Sequence, residues 1–195
     1  MAHGTAARIV DSAAGELRER GVFSASLEAI RRRANVSTGS TYHHFPGGMP
    51  AVGAEVYRSV LLQYQRAAAA VLDAAPTAEE GVRAVVIHLL AWVESDPGAA
   101  RLLYQLEGTV DPAMLDDTPQ PLAEAIDTWL ARFGNPAATR HRVELIALWS
   151  APAKEYARVW TRNPRVAKPT AMGTWFADAA WQSVKPFVRA RRSTR

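Results

Sequence analysis

Hydrophobic residues along the chain recur at helical spacing, and no run alternates at period two as a half-buried strand would. From Thr5 to Arg20, Ile9, Ala13 and Leu17 fall at i, i+4 and i+8, with Val10 and Ala14 beside them. Thr5 stands where an N-cap is expected. Gly21 stands where the helix should stop, because glycine readily takes the left-handed backbone that ends a helix. A short second helix is expected over 27–34, capped by Ser26 or Ser24, with Glu28 favourably placed in its first turn. Asn35 also tolerates the left-handed backbone, so Ala34-Asn35-Val36-Ser37 reads as a tight connection. The third helix then runs from after Ser37 to about Phe45, where Pro46-Gly47-Gly48 stops it.

The rest of the chain continues in the same way. Pro50 suits the first turn of a long fourth helix over 50–74, with Val52, Val56, Val60 and Ala67 on one stripe and Leu61, Ala68 and Leu72 beside it. Pro76 ends that helix. Thr77 and Glu80 have capping-box spacing and open a fifth helix to about Glu94. A sixth is expected over 98–108. The stretch 109–120, with Pro112, Asp116, Asp117 and Pro119, reads as a loop. Further helices are expected over 122–133, 138–160 (bent at Pro152) and 172–189. The expected fold is all-α with about nine helices. Residues 1–50 form an N-terminal three-helix domain, 51–195 a larger helical domain, and the helix over 50–74 links them.

Composition narrows the chemistry. The chain has 195 residues and no cysteine, which removes disulfides, thiol catalysis, Fe–S clusters and Cys-ligated zinc. The net charge of +4 is unevenly distributed. Residues 1–50 hold six arginines against four acids, and residues 51–188 hold thirteen bases against fifteen acids. Arg189, Arg191, Arg192 and Arg195 then form a basic tail. All six tryptophans lie after residue 90, which sets the larger domain apart from the first fifty residues. The most apolar stretch, 85–93, is about half of the ~20 residues that a membrane span needs, and it contains His88. Residues 1–11 lack the apolar core of a signal peptide, so a cytoplasmic protein with no membrane partner is expected.

Residues 27–45 have the form of a helix-turn-helix, in which the second helix enters the major groove and its N-terminal residues reach base edges. Those residues are Thr38, Gly39 and Ser40, small enough to let the helix backbone sit deep in the groove. Tyr42, His43 and His44 follow one turn later, within reach of phosphates. The free N–H groups at the helix starts near Ser26 and Ser37 are further phosphate ligands. Arg31, Arg32 and Arg33 add positive charge nearby, although three consecutive helical positions cannot all face one way. Short helix pairs also occur in all-α proteins that never touch DNA, and His43 and His44 also read as two solvated polar residues. Adjacent on a helix, they diverge by about 100° and do not form a metal pair.

The combination is more specific than its parts. Residues 5–57 resemble the DNA-binding domain of TetR/AcrR-type bacterial transcriptional regulators. The likeness rests on Arg8-Ile9-Val10-Asp11-Ser12-Ala13-Ala14, Glu19-Arg20-Gly21 and Ser26-Leu27-Glu28-Ala29-Ile30. Above all it rests on the run Ala34-Asn35-Val36-Ser37-Thr38-Gly39-Ser40-Thr41-Tyr42-His43-His44-Phe45-Pro46. The resemblance implies that Thr38, Gly39, Ser40 and His43 lie in the groove, and that Tyr42 and His44 hold the phosphate backbone. Three positions depart from the family's pattern. Thr41 replaces an apolar residue under the recognition helix, Ala25 replaces a common threonine, and Gly47-Gly48-Met49 lacks a basic residue at the start of helix four.

The resemblance also implies a ligand cavity within helices four to eight and dimerisation through the last two. His88 and Trp92, one turn apart on the most apolar helix, and Tyr104, Trp129 and Trp149 are the candidate lining residues, with core aromatics the competing reading. The eighth helix is apolar on two faces and so wants a partner on each side. With the ninth helix, this makes Tyr156, Trp160, Phe176, Ala180, Val184 and Phe187 the expected isologous dimer interface. No nucleophile elbow, phosphate-cradling glycine loop or metal-spaced cluster appears, so neither enzyme nor cofactor is expected. The expected function is a homodimeric repressor released from a palindromic DNA operator by a small molecule. A helical small-molecule-binding protein or a protein-interaction adaptor on the same fold is the alternative.

Overall fold

Four helices start where the sequence supplies a side chain for their unpaired backbone N–H groups. The structure is a computed structural model that describes residues 4–189. Among these residues lie ten α-helices: α1 (Thr5–Arg20), α2 (Leu27–Ala34), α3 (Thr38–His44), α4 (Gly48–Asp73), α5 (Ala78–Ser95), α6 (Pro97–Leu106), α7 (Pro121–Phe133), α8 (Pro136–Arg140), α9 (Arg142–Arg162) and α10 (Gly173–Val184). Ser26, Ser37 and Thr77 accept backbone N–H bonds from Ala29, Ser40 and Glu80. Thr77 also donates its hydroxyl to Glu80 at 2.7 Å. Gly21 (φ 81°) and Asn35 (φ 52°) end α1 and α2 in positive-φ conformations.

Several boundaries differ from the periodicity. The N-cap of α1 is Gly4 and Thr5 is its first residue, with no side-chain cap. α4 begins at Gly48, because that glycine takes φ 63° and lets the helix start two residues before Pro50. A 3-10 turn at Pro112–Leu115, capped by Asp111, lies within the stretch read as a loop. The expected eighth helix is divided at His141 into α8 and α9, which gives ten helices where about nine were expected. No glycine or proline marks the division. Asn135 caps α8 through two N–H bonds, and Ala138 is fully buried. Arg142, the first residue of α9, is ion-paired to Asp127 of α7, so the two pieces are held by different neighbours. α9 runs on through Pro152, whose ring is exposed. α10 ends at Val184, where Pro186 in the following 3-10 turn prevents continuation.

The helices form two units, residues 1–63 with 98–119 and residues 64–97 with 120–195. In the first, Ile9, Ala13 and Leu17 of α1 and Ile30 and Ala34 of α2 are buried. Val52, Val56 and Val60 of α4 and Leu102, Leu103 and Leu106 of α6 are buried there too. Arg58 fastens residues 112–119 to α4 by donating to the Thr118 hydroxyl (3.0 Å) and the Met114 carbonyl (2.5 Å). Ala67, expected on the buried stripe of α4, is exposed, whereas Ala68 and Leu72 are buried.

In the second unit α5 is the central helix, in contact with both α9 and α10. Gly81 permits a close approach. A Cβ there would stand 3.0 Å from Leu72 Cδ1 and 3.1 Å from Trp129 Nε1. The buried stripe of α9 is Leu145, Trp149, Ala153, Ala157 and Trp160. Trp149 donates its indole N–H to the Val82 carbonyl at 3.0 Å. The chain after α10 returns to the end of α7, where Asn135 N–H bonds the Phe187 carbonyl and Arg189 N–H bonds the Phe133 carbonyl, both at 2.8 Å.

Replacing Trp149 by Phe keeps the apolar ring but removes this buried indole bond. The expected cost is about 1–3 kcal/mol of unfolding free energy, read by urea denaturation with an unchanged helical circular dichroism spectrum.

Candidate nucleic-acid interface

Residues 26–45 present one helix by means of another. Ile30 and Ala34 bury α2 against α1, and Asn35 takes φ 52° and ψ 54° to turn the chain within one residue. The Val36 N–H returns to the Arg31 carbonyl at 3.0 Å, which closes the end of α2. Ser37, extended at φ −73° and ψ 159°, then caps α3 by accepting the Ser40 N–H at 3.0 Å. The inner side of α3 is held by Thr41, which is 1% exposed. Its hydroxyl donates to the Ser37 carbonyl at 3.0 Å, so a polar residue occupies an apolar position without an unpaired group.

The outer side of α3 is open. Thr38, Gly39, Tyr42, His43 and His44 are exposed and Ser40 is half-buried. The His43 and His44 rings meet edge to face with centroids 5.2 Å apart. A Cβ built on Gly39 would meet nothing within 4 Å. Ser26, at the N-terminus of α2, is exposed as well. The structure thus brings Ser37, Thr38, Gly39, Ser40, Tyr42, His43 and His44 onto one short element, with Ser26 one helix earlier.

The arginines of α2 are less available than their sequence suggests. Arg31 forms a two-pronged pair with Glu28 at 2.7 and 2.6 Å, and Arg32 lies 3.7 Å from the same carboxylate. Arg33 pairs with Glu19 of α1 at 2.7 Å, and its guanidinium lies 2.7–2.8 Å from where a Gly15 Cβ would stand. Much of this charge is matched within the domain.

The residues expected to line a ligand cavity fall into separate groups. His88 and Trp92 of α5 gather around Tyr64, with ring centroids 5.9 and 5.0 Å from it. Burial lowers the His88 pKa and pushes that of Tyr64 up to about 12, and His88 Nε2 has no hydrogen-bond partner. Trp129 and Trp149 form a second group, 5.2 Å apart. Tyr104 belongs to the other unit. Tyr64 carried no sequence signal of its own beyond lying on α4.

Of the residues expected at a dimer interface, Trp160, Ala180 and Val184 are buried within the chain's own second unit. The Tyr156 and Phe176 rings meet at a 40° tilt with centroids 5.1 Å apart and are half-buried, as is Phe187. The large exposed apolar residues of α9 and α10 are instead Val143, Leu148, Val159 and Trp175. Arg191, Arg192 and Arg195 lie outside the described residues. Among the described residues there is no group of three or more potential metal ligands, and no helix is long and apolar enough to cross a membrane.

Residues 9–47 match the family model of bacterial regulatory proteins of the tetR family. No curated protein sequence matches the chain. Among solved structures, the fatty acid degradation regulator FadR from Bacillus halodurans is similar at a TM-score of 0.70 and 16% identity, covering 92% of this chain and 96% of that one. FadR from Bacillus subtilis, in complex with stearoyl-CoA, aligns at 0.67 and 15%, covering 89% and 96%. SmeT, the repressor of the Stenotrophomonas maltophilia multidrug efflux pump SmeDEF, aligns at 0.66 and 20%, covering 97% and 93%. At these identities the likeness is one of fold.

Two outcomes follow from the local geometry. Ser37→Ala removes the cap of α3 and should cost ~1 kcal/mol in urea denaturation. His88 is held neutral by burial while the unfolded chain titrates near the ordinary histidine value of about 6.5. Stability should therefore fall as pH drops below about 6.5, and melting curves from pH 7.5 to 5.5 should fall less steeply for His88→Gln.

Proposed function

We propose that the chain is a DNA-binding transcriptional regulator of the tetR family of bacterial regulatory proteins, whose family model residues 9–47 match. The observation that carries this reading is the open face of α3. Glycine inside a helix costs up to about 1 kcal/mol relative to alanine. At Gly39 nothing in the protein requires it, since a Cβ there meets no neighbour. A helix that must lie with its backbone against a groove floor does require it. Thr38 and Ser40 on the same turn offer hydroxyls to base edges, while Tyr42, His43 and His44 offer donors to phosphates and bases.

The regulator acts as a homodimer. Two copies of α3 placed about 34–36 Å apart read successive major grooves of a palindromic operator. The surface that supports pairing is the exposed apolar set on the adjacent helices α9 and α10, Leu148, Val159 and above all Trp175, which is 73% exposed. A small molecule that binds one conformer of the dimer better than the other shifts operator affinity, typically by 1–3 kcal/mol of coupling. The neighbour bound to stearoyl-CoA and the neighbour described as a repressor support reading the chain as an effector-released repressor. Such a protein works in the cytoplasm beside its DNA, and its chemistry is recognition, not catalysis.

Gly39→Ala should leave the fold as stable as before or slightly more so, by up to about 1 kcal/mol. Its affinity for the gene's own upstream DNA should fall about tenfold or more, a loss on the order of 1.4 kcal/mol or greater. Fluorescence anisotropy checks this, and unchanged affinity would count against the groove role of α3. Tyr42→Phe with His44→Ala should weaken all sequences alike. Trp175→Glu should shift sedimentation from dimer to monomer while helix content stays the same.

A further inference from the structure

In the second unit a cavity of about 760 Å³ lies between the start of α5, the end of α7 and the end of α10. None of the five residues expected to line an effector cavity borders it. Three cations do: Arg132, Lys185 and Arg189. Arg132 donates to the Pro76 carbonyl at 3.4 Å and lies 4.5 Å over the Phe133 ring. Arg189 donates to the Gly134 carbonyl at 2.6 Å. Among the described residues no carboxylate pairs with any of the three. The one acid on the wall, Glu79, is already paired with Arg83 at 2.9 Å, and Arg83 also binds Asp178. Phe133 and Trp181 supply aromatic walls.

Cations that line a concave space without a carboxylate partner attract an anion into it. A volume of this size is within the range of roughly 300–1,000 Å³ typical of small-molecule sites and is too small for a duplex. We infer that this cavity binds a small organic anion, its acidic head between Arg132 and Lys185 and its apolar or aromatic body against Phe133 and Trp181. Arg189, tied to Gly134 and Phe133 through its side chain and backbone, forms the floor. The inference stands apart from DNA recognition and is tested without DNA.

The probe is 8-anilinonaphthalene-1-sulfonate, an anionic aromatic dye, titrated by fluorescence into the purified full-length protein. Its neutral counterpart, N-phenyl-1-naphthylamine, is titrated alongside. Arg132→Gln with Lys185→Gln should weaken the anionic dye about tenfold or more while leaving the neutral dye within twofold. The charge-matched control, Arg140→Gln with Arg165→Gln, should change neither dye. Thermal melts establish that both variants fold, and Lys185→Ala provides a milder second variant expected to show a smaller loss of the same sign. Competition by 1-naphthoate and by 1-naphthyl phosphate then distinguishes carboxylate from phosphate heads, and displacement by either supports the site. Unchanged affinity of the anionic dye in the double variant overturns the proposal. So does an equal loss in the charge-matched control, or a failure of both competitors to displace the dye.

Discussion

The four residues from Ala34 to Ser37 are the constraint on which the exposed helix depends. α2 must end, the chain must turn, and α3 must begin, all without leaving buried donors unpaired. Asn35 absorbs the turn in a left-handed conformation, the Val36 N–H closes the end of α2, and the Ser37 side chain opens α3. The Ser37 carbonyl then receives both the N–H and the hydroxyl of Thr41. With the turn set locally, α3 needs only Thr41 and Phe45 as buried contacts, and most of its surface stays free for a partner.

The second unit is organised differently. Its order comes from close approach around α5, where Gly81 admits Leu72 and Trp129 and where Trp149 bonds the backbone at Val82. These contacts join residues far apart in sequence. They also explain why the aromatic residues divide as they do. Trp129 and Trp149 fill the core beside Gly81, while His88 and Trp92 share a separate cluster with Tyr64. The return of the chain at Phe187–Arg189 onto Phe133–Asn135 closes this unit and gathers cations where sequence alone scatters them over 57 residues.

The readings that held rest on local chemistry. Ser26, Asn35 and Thr77 each act through groups within four residues, so their roles were visible in the order of residues alone. Other features differ from the periodicity or depend on distant contacts. Thr5 does not cap α1, and the division at His141 has no local breaker, because Ala138 and Arg142 are held by different elements. Arg31, Arg32 and Arg33 were legible as a basic run, but not that Glu28 and Glu19 would take up their charge. Trp160, Ala180 and Val184 are legible as apolar, and their burial follows from the packing of the second unit.

The sequence by itself determined the all-helical class, the turn at Asn35 and the polar, small-residue face of α3, because caps, turns and helical period act over a few residues. Tertiary structure alone decided which aromatics meet, which arginines stay unpaired and where the long expected eighth helix divides. Those outcomes depend on which distant side chain arrives at each surface, and the spacing of residues along a helix carries no information about that.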